Sequence, residues 1–145
     1  LMMFNARTLL ALVPAALLPL ASAGCDEDET TTAGPPRVII EQPLDGAVVT
    51  SSDEIHVRVE NFTLVPIGSS NAPSEHEGHI HIVADGTFVG SNGYAMQATN
   101  TFTFGSLLKG SPPRGDYTFK VEVRDTNHNP IPNAVADTVR VTYQP

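Results

Sequence analysis

From Arg37 to Tyr143 segments of period-two apolar alternation recur repeatedly, and no segment keeps the three-and-four spacing of a helix face over three turns. A period of two sends alternate side chains to opposite faces of an extended chain, so the pattern selects strands with one face turned to a core. The segment Arg37-Val38-Ile39-Ile40-Glu41 is an expected first strand, stopped by Pro43 and the turn residues Asp45-Gly46. Next, Ile55, Val57 and Val59 share a face opposite His56, Arg58 and Glu60. In 79–84, Ile80 and Ile82 point inward while His79, His81 and Val83 point outward, before the turn at Asp85-Gly86. Phe102 and Phe104 alternate with threonines in 99–104, and Tyr117, Phe119, Val121 and Val123 alternate with Thr118, Lys120, Glu122 and Arg124. Val139, Val141 and Tyr143 alternate with Thr138, Arg140 and Thr142.

With a short piece at 87–89, the alternation predicts about seven strands, the number of a β-sandwich with one solvated face per sheet. The expected architecture is all-β: a single antiparallel β-sandwich over 37–145. Its expected core is Ile55, Val57, Val59, Ile80, Ile82, Phe102, Phe104, Phe119, Val121, Val123, Val139 and Val141. A barrel of the same strands satisfies the same alternation.

Size and charge narrow the function classes. At 145 residues the chain supplies one core and not two, which excludes a two-domain enzyme. Eight Lys and Arg stand against 16 Asp and Glu, a net charge of −8. Affinity for nucleic acid comes largely from Lys and Arg neutralising phosphates, so nucleic acid is not an expected partner.

Ahead of the strands lies Arg7, then the apolar run from Leu9 to Leu20 and the small residues Ala21-Ser22-Ala23-Gly24 before Cys25. This is the layout of a secretory signal peptide, expected over 1–24. The run is shorter than the roughly 20 apolar residues of a membrane span and carries Pro14 and Pro19. Small residues directly before a lone cysteine resemble the bacterial lipobox. That resemblance implies lipid on Cys25 and anchorage to a bacterial membrane, on the periplasmic side or at the cell surface. Residues 25–36, with four acids, three threonines and no large apolar side chain, read as a disordered tether.

The Asp45-Gly46 turn after the first strand, and Gly115-Asp116-Tyr117-Thr118-Phe119 leading into Val121-Glu122-Val123-Arg124-Asp125, resemble bacterial immunoglobulin-like domains. The resemblance implies a tyrosine packed at a corner, the place of Tyr117, and antiparallel pairing of the 79–84 and 117–125 strands. It also implies the role common to such modules, the binding of another envelope protein.

Three of the five histidines fall in Glu75-His76-Glu77-Gly78-His79-Ile80-His81. Residues two apart on a strand project from one face, so His79 and His81 present two imidazoles together while Ile80 stays in the core. Under the immunoglobulin-like pairing, His128 in Asp125-Thr126-Asn127-His128-Asn129-Pro130 comes beside them. His79, His81 and His128, with His76 or Glu77 completing the shell, form a candidate copper or zinc site. The alternative is that His79 and His81 lie on a solvated sheet face and His128 bonds a loop backbone. Gly78-His79-Ile80-His81, Asp85-Gly86 and Asp125-Thr126-Asn127-His128-Asn129-Pro130 are similar to small exported bacterial domains of unassigned role, which implies a histidine site without naming its purpose. Asp125 is expected to cap the turn that follows it. His56 belongs to the other sheet.

No catalytic residue is expected. The one cysteine stands at the lipid position, and there is no Gly-x-Ser-x-Gly elbow or glycine-rich phosphate loop before a helix. The sequence therefore reads as a non-enzyme: a membrane-anchored binding module or a metal-binding accessory.

Overall fold

Alternation places strands correctly only where they are long enough to show it, and the short ones emerge from the structure. The computed structural model describes residues 34–69, 72–84, 89 and 93–145. The expected leader, Cys25, most of the tether, the Asp85-Gly86 turn and Thr87 lie outside the described residues. In chain order the strands are β1 (Arg37–Gln42), β2 (Ala47–Val49), β3 (Glu54–Glu60), β4 (Thr63–Leu64), β5 (Glu77–Ala84), β6 (Tyr94–Gln97), β7 (Thr101–Thr103), β8 (Gly115–Asp125) and β9 (Asp137–Tyr143). One short helical turn, α1 (Phe104–Leu107), lies between β7 and β8. The chain is all-β, and among the described residues no helix is long and apolar enough to cross a membrane.

Two sheets divide the strands. The smaller has the order β1-β3-β7; the larger runs β2-β9-β8-β5-β4, with β6 also paired to β5. The ladders are antiparallel except for β2 beside β9 and β4 beside β5, which are parallel. The sandwich is therefore mixed where an antiparallel one was expected. Strands β2 and β4, of three and two residues, are too short to register as a period-two pattern.

The core comes from facing sides of both sheets. Ile55, Val57 and Phe102 from the small sheet meet Ile80, Ile82, Phe119, Val121, Val123, Val139 and Val141 from the large one. Val59 is half-buried and packs against this cluster. Each fully buried aliphatic side chain contributes about 1.5–3 kcal/mol relative to exposure. Phe104 is buried as expected but leaves the strand, because its N–H bonds to Asp53 O and that of Gly105 to Ser51 O. Thr103 caps the resulting turn by accepting the Ser106 N–H. Phe104 then meets Phe119 edge-on at 5.3 Å. Tyr117, half-buried, donates its hydroxyl to Pro113 O at 2.9 Å and packs against Tyr143.

Candidate metal centre

Strand β5 is the central element of the site. It pairs with β8 along one side, from Gly78 opposite Asp125 to Ala84 opposite Phe119. Along its other side, β4 covers the first residues and β6 the later ones. Ile80 and Ile82 face the core and are fully buried. His79 and His81 face away from it, as the alternation requires, yet they are only 1% and 4% exposed. The expected solvated sheet face is corrected here: the outer face of β5 has its own cover. After β4 the chain continues over it, with Val65 N–H bonded to Gly78 O. The Asp125–Asn129 loop and Tyr94 complete the cover.

The loop is held by Asp125. Its Oδ1 accepts the N–H groups of Asn127 and Asn129 at 2.8 Å each, and its Oδ2 accepts the Asn129 side-chain amide. Burial pushes this carboxyl up, but the bonds from Asn129 and Asn127 outweigh burial and hold it below the usual carboxylate range. The expected capping role of Asp125 is thus present. Within this loop His128 sits at φ 66°, a left-handed conformation uncommon outside glycine. Gly78 answers this loop from β5. A Cβ there would stand 2.0 Å from Arg124 O and 2.8 Å from Asp125 C, so only glycine lets the two strands close where the loop begins.

His128 lies between the two strand histidines. Its Nδ1 is 3.1 Å from His81 Nε2, with ring centroids 5.3 Å apart, and its ring stacks near His79 at 5.7 Å. His79 Nε2 is 3.2 Å from Pro66 O. A carbonyl only accepts, so Nε2 carries the proton and Nδ1 of the neutral ring is a bare lone pair. That Nδ1 is buried and has no hydrogen-bond partner among the described residues. Tyr94 stacks on His81 at 4.6 Å, nearly parallel. Burial, then the neighbouring His128 and Arg124, lower the His81 pKa to about 4, so this ring is neutral throughout the ordinary pH range.

A small cavity of about 120 Å³ opens at this point, lined by His81, Val83, Tyr94, Glu122, Arg124 and His128. Glu122, directly opposite His81 on β8, is occupied by Arg124 and Lys120, which hold its carboxyl below the usual range against the upward push of burial.

The other candidates fall away from this cluster. His76 is exposed and turns its Nδ1 toward Asn61 O at 3.3 Å. Glu77 begins β5 and pairs with Thr63. Among the described residues no group of three or more His, Cys, Asp and Glu side chains is assembled as a metal shell; the contacts bring His81 and His128 together with the His79 ring beside them, and turn His76 and Glu77 to other partners. His56, on the small sheet, bonds Glu54 at 2.9 Å. Sequence reasoning missed Tyr94 and the rest of β6, because Ser91-Asn92-Gly93-Tyr94 reads as a polar loop. The chain matches no protein-family model, no curated protein and no solved structure.

Proposed function

We propose that this chain is an exported, lipid-anchored, non-catalytic binding module with an immunoglobulin-like sandwich, and that its ligand is a copper or zinc ion taken by His81 and His128. The observation that supports the metal is the 3.1 Å approach of His81 Nε2 to His128 Nδ1. Two nitrogens bound tetrahedrally to one ion at about 2.0–2.1 Å stand about 3.4 Å apart, so an ion replaces the shared proton with a shift of a few tenths of an ångström. His79 Nδ1, buried and without a hydrogen-bond partner among the described residues, belongs to the same cluster, its ring 5.7 Å from that of His128. Its opposite nitrogen on a backbone carbonyl is the support that metal-binding histidines ordinarily have. For the anchor, the support is the apolar run and small residues before Cys25.

Titration calorimetry on the purified Cys25→Ser chain tests the metal, because the ion binds the folded state and raises its melting temperature. One Cu²⁺ or Zn²⁺ per chain is expected, with binding lost in His81→Ala and in His128→Ala. Absence of binding above the micromolar range removes the reading. In cells, Cys25→Ser should move the protein from the membrane to the soluble fraction.

A second reading, docking of another envelope protein, is favoured by a different surface. Leu44 and Val48 are 76% and 61% exposed and flank an open groove of about 560 Å³ beside β2, an edge strand of the large sheet. If no ion binds, this edge carries the better account of the module.

A further inference from the structure

An edge strand leaves one side of its backbone without a ladder, and folded chains ordinarily cover that side or blunt it with charge. The small sheet covers it at β1: Val38 N–H bonds Val135 O, Val135 N–H bonds Pro36 O, and Ile40 N–H bonds Asp137 Oδ2. The large sheet does not do so at β2. Val49 accepts the Gln144 N–H at 2.8 Å, which turns the Val49 backbone toward β9. Successive residues of a strand present their N–H and C=O to opposite sides, so Val48 turns both groups to the open side. There they have no partner among the described residues. The Val48 side chain is exposed as well, beside Leu44 from the preceding turn, so this edge carries two aliphatic groups where a protected edge carries Lys.

The groove beside β2 adds acid to these aliphatic side chains. Leu44 and Val48 line one part of it and Ser52, Asp53, Glu54 and His56 another, with no Lys or Arg in its lining. Asp53 Oδ2 accepts the N–H and the hydroxyl of Thr50 at 2.6 and 2.8 Å. Those two bonds hold its carboxyl below the usual carboxylate range, so it stays charged. Its Oδ1 has no hydrogen-bond partner among the described residues. Glu54 Oε2 meets His56 Nε2 at 2.9 Å, and its Oε1 is likewise without a partner among them. Two carboxylates with an oxygen to spare, two aliphatic groups and an unpaired backbone position thus line one groove.

We infer that this groove docks an extended segment of another protein in which an apolar side chain is flanked by Lys or Arg. The segment adds to β2 as a strand: its backbone takes the Val48 N–H and C=O, its apolar side chain lies on Leu44 and Val48, and its cation reaches Asp53 and Glu54. The inference rests on the docking reading above and adds the chemistry of the partner. Charge selects this occupant over two others. A second copy docked by the same edge brings its own Asp53 and Glu54 to the interface, between chains that each carry −8. The chain's own 25–36 segment bears four acids and no Lys or Arg. Both are repelled where a basic segment is drawn in.

The test is selection from a phage-displayed library of random heptapeptides on the immobilised Cys25→Ser chain, followed by affinity measurement with the selected peptides in free form. Peptides carrying Lys or Arg beside an apolar residue should be enriched, and their binding should weaken as ionic strength rises. Asp53→Asn/Glu54→Gln conserves shape, removes both charges and should weaken them about three- to tenfold, the joint effect of two exposed ion pairs. Val48→Pro removes only the open-side N–H, a change that edge strands tolerate, and should weaken them about tenfold. Melting curves check that the variants fold, and Leu44→Ser, at an exposed side chain, repeats the edge test should Val48→Pro not fold. Neutral or acidic peptides that depend on Val48 or Leu44 overturn the basic partner and leave docking at this edge standing. Peptides indifferent to both positions, or none enriched, remove both readings. A concentration-dependent dimer that the edge variants abolish makes a second copy the occupant and likewise overturns the inference.

Discussion

The two faces of β5 are buried to nearly the same degree by opposite means. Ile80 and Ile82 are enclosed by apolar side chains from both sheets, whereas His79 and His81 are enclosed by a loop, a short strand and one another. On the inner face burial itself is favourable, at about 25 cal/mol per Å² of apolar surface. On the outer face each polar atom must find a partner to offset its loss of water, and one of them, His79 Nδ1, has none among the described residues. The outer face is thus closed at a cost and keeps an unsatisfied acceptor lone pair, which the inner face does not. The inner face explains why the chain folds; the outer face is where a ligand would act.

The largest effect should follow from breaking the inner face. Val121 stands opposite Ile82 in the β5–β8 ladder and is almost fully buried. Val121→Asp places an unpaired charge in the core and should unfold the domain, read as loss of the cooperative thermal transition. A normal melting curve would mean that the inner face is far more tolerant than its packing implies.

This inner face was legible in the sequence because it depends on a local period: Ile80, Ile82, Phe119, Val121 and Val123 declare themselves by alternation alone. Alternation marked Tyr117 as an inward position, while its packing at a corner was what the resemblance to immunoglobulin-like domains implied. The outer face was half legible. That His79 and His81 share a side follows from strand geometry; that His128 returns to them was what the immunoglobulin-like pairing implied. That they are covered follows from neither, because the cover comes from the chain after β4, from β6 and from the loop after Asp125, none of which carries a period.

A smaller but still damaging change lies where the two faces meet the loop. Gly78→Ala drives a Cβ into Arg124 O and Asp125 C, both backbone, so strand or loop must move. Overpacking of this kind costs about 1–3 kcal/mol and occasionally more. The loss should appear in urea denaturation, and because the shift occurs where His128's loop begins, metal affinity should fall further than stability does. An alanine variant with unaltered stability and affinity would show that the close approach does not position His128.

Acidification separates the faces without mutation. The inner face has no titrating group, whereas His81 has its pKa lowered to about 4 in the folded chain, against about 6.5 for a free imidazole. Between these values the unfolded chain binds a proton that the folded chain does not. Stability is therefore full above about pH 6.5, declines as pH falls through that window, and levels off near pH 4 as far as His81 is concerned. Chemical denaturation at stepped pH should show this slope in the parent chain and lose part of it in His81→Leu. An unchanged slope in His81→Leu would place the acid sensitivity elsewhere.

The smallest expected change in stability is the most informative one. Removing His128 alone by His128→Ala strips from His81 Nε2 its polar partner among the described residues, and an unsatisfied buried nitrogen costs about 1–3 kcal/mol. Removing both partners, in His81→Leu/His128→Leu, leaves no orphan atom and lets apolar groups fill the outer face. Replacing both members of a buried polar pair is often nearly neutral. The double variant should therefore be more stable than His128→Ala and within about 1 kcal/mol of the parent, a non-additivity that a double-mutant cycle reads directly. Yet it should bind no ion at all. A double variant that unfolds would make the imidazoles structural cement for β5, with no need of a ligand to explain them. One that folds as well as the parent while losing the metal would mean that the outer face carries histidines which folding does not require, and whose purpose is the ion.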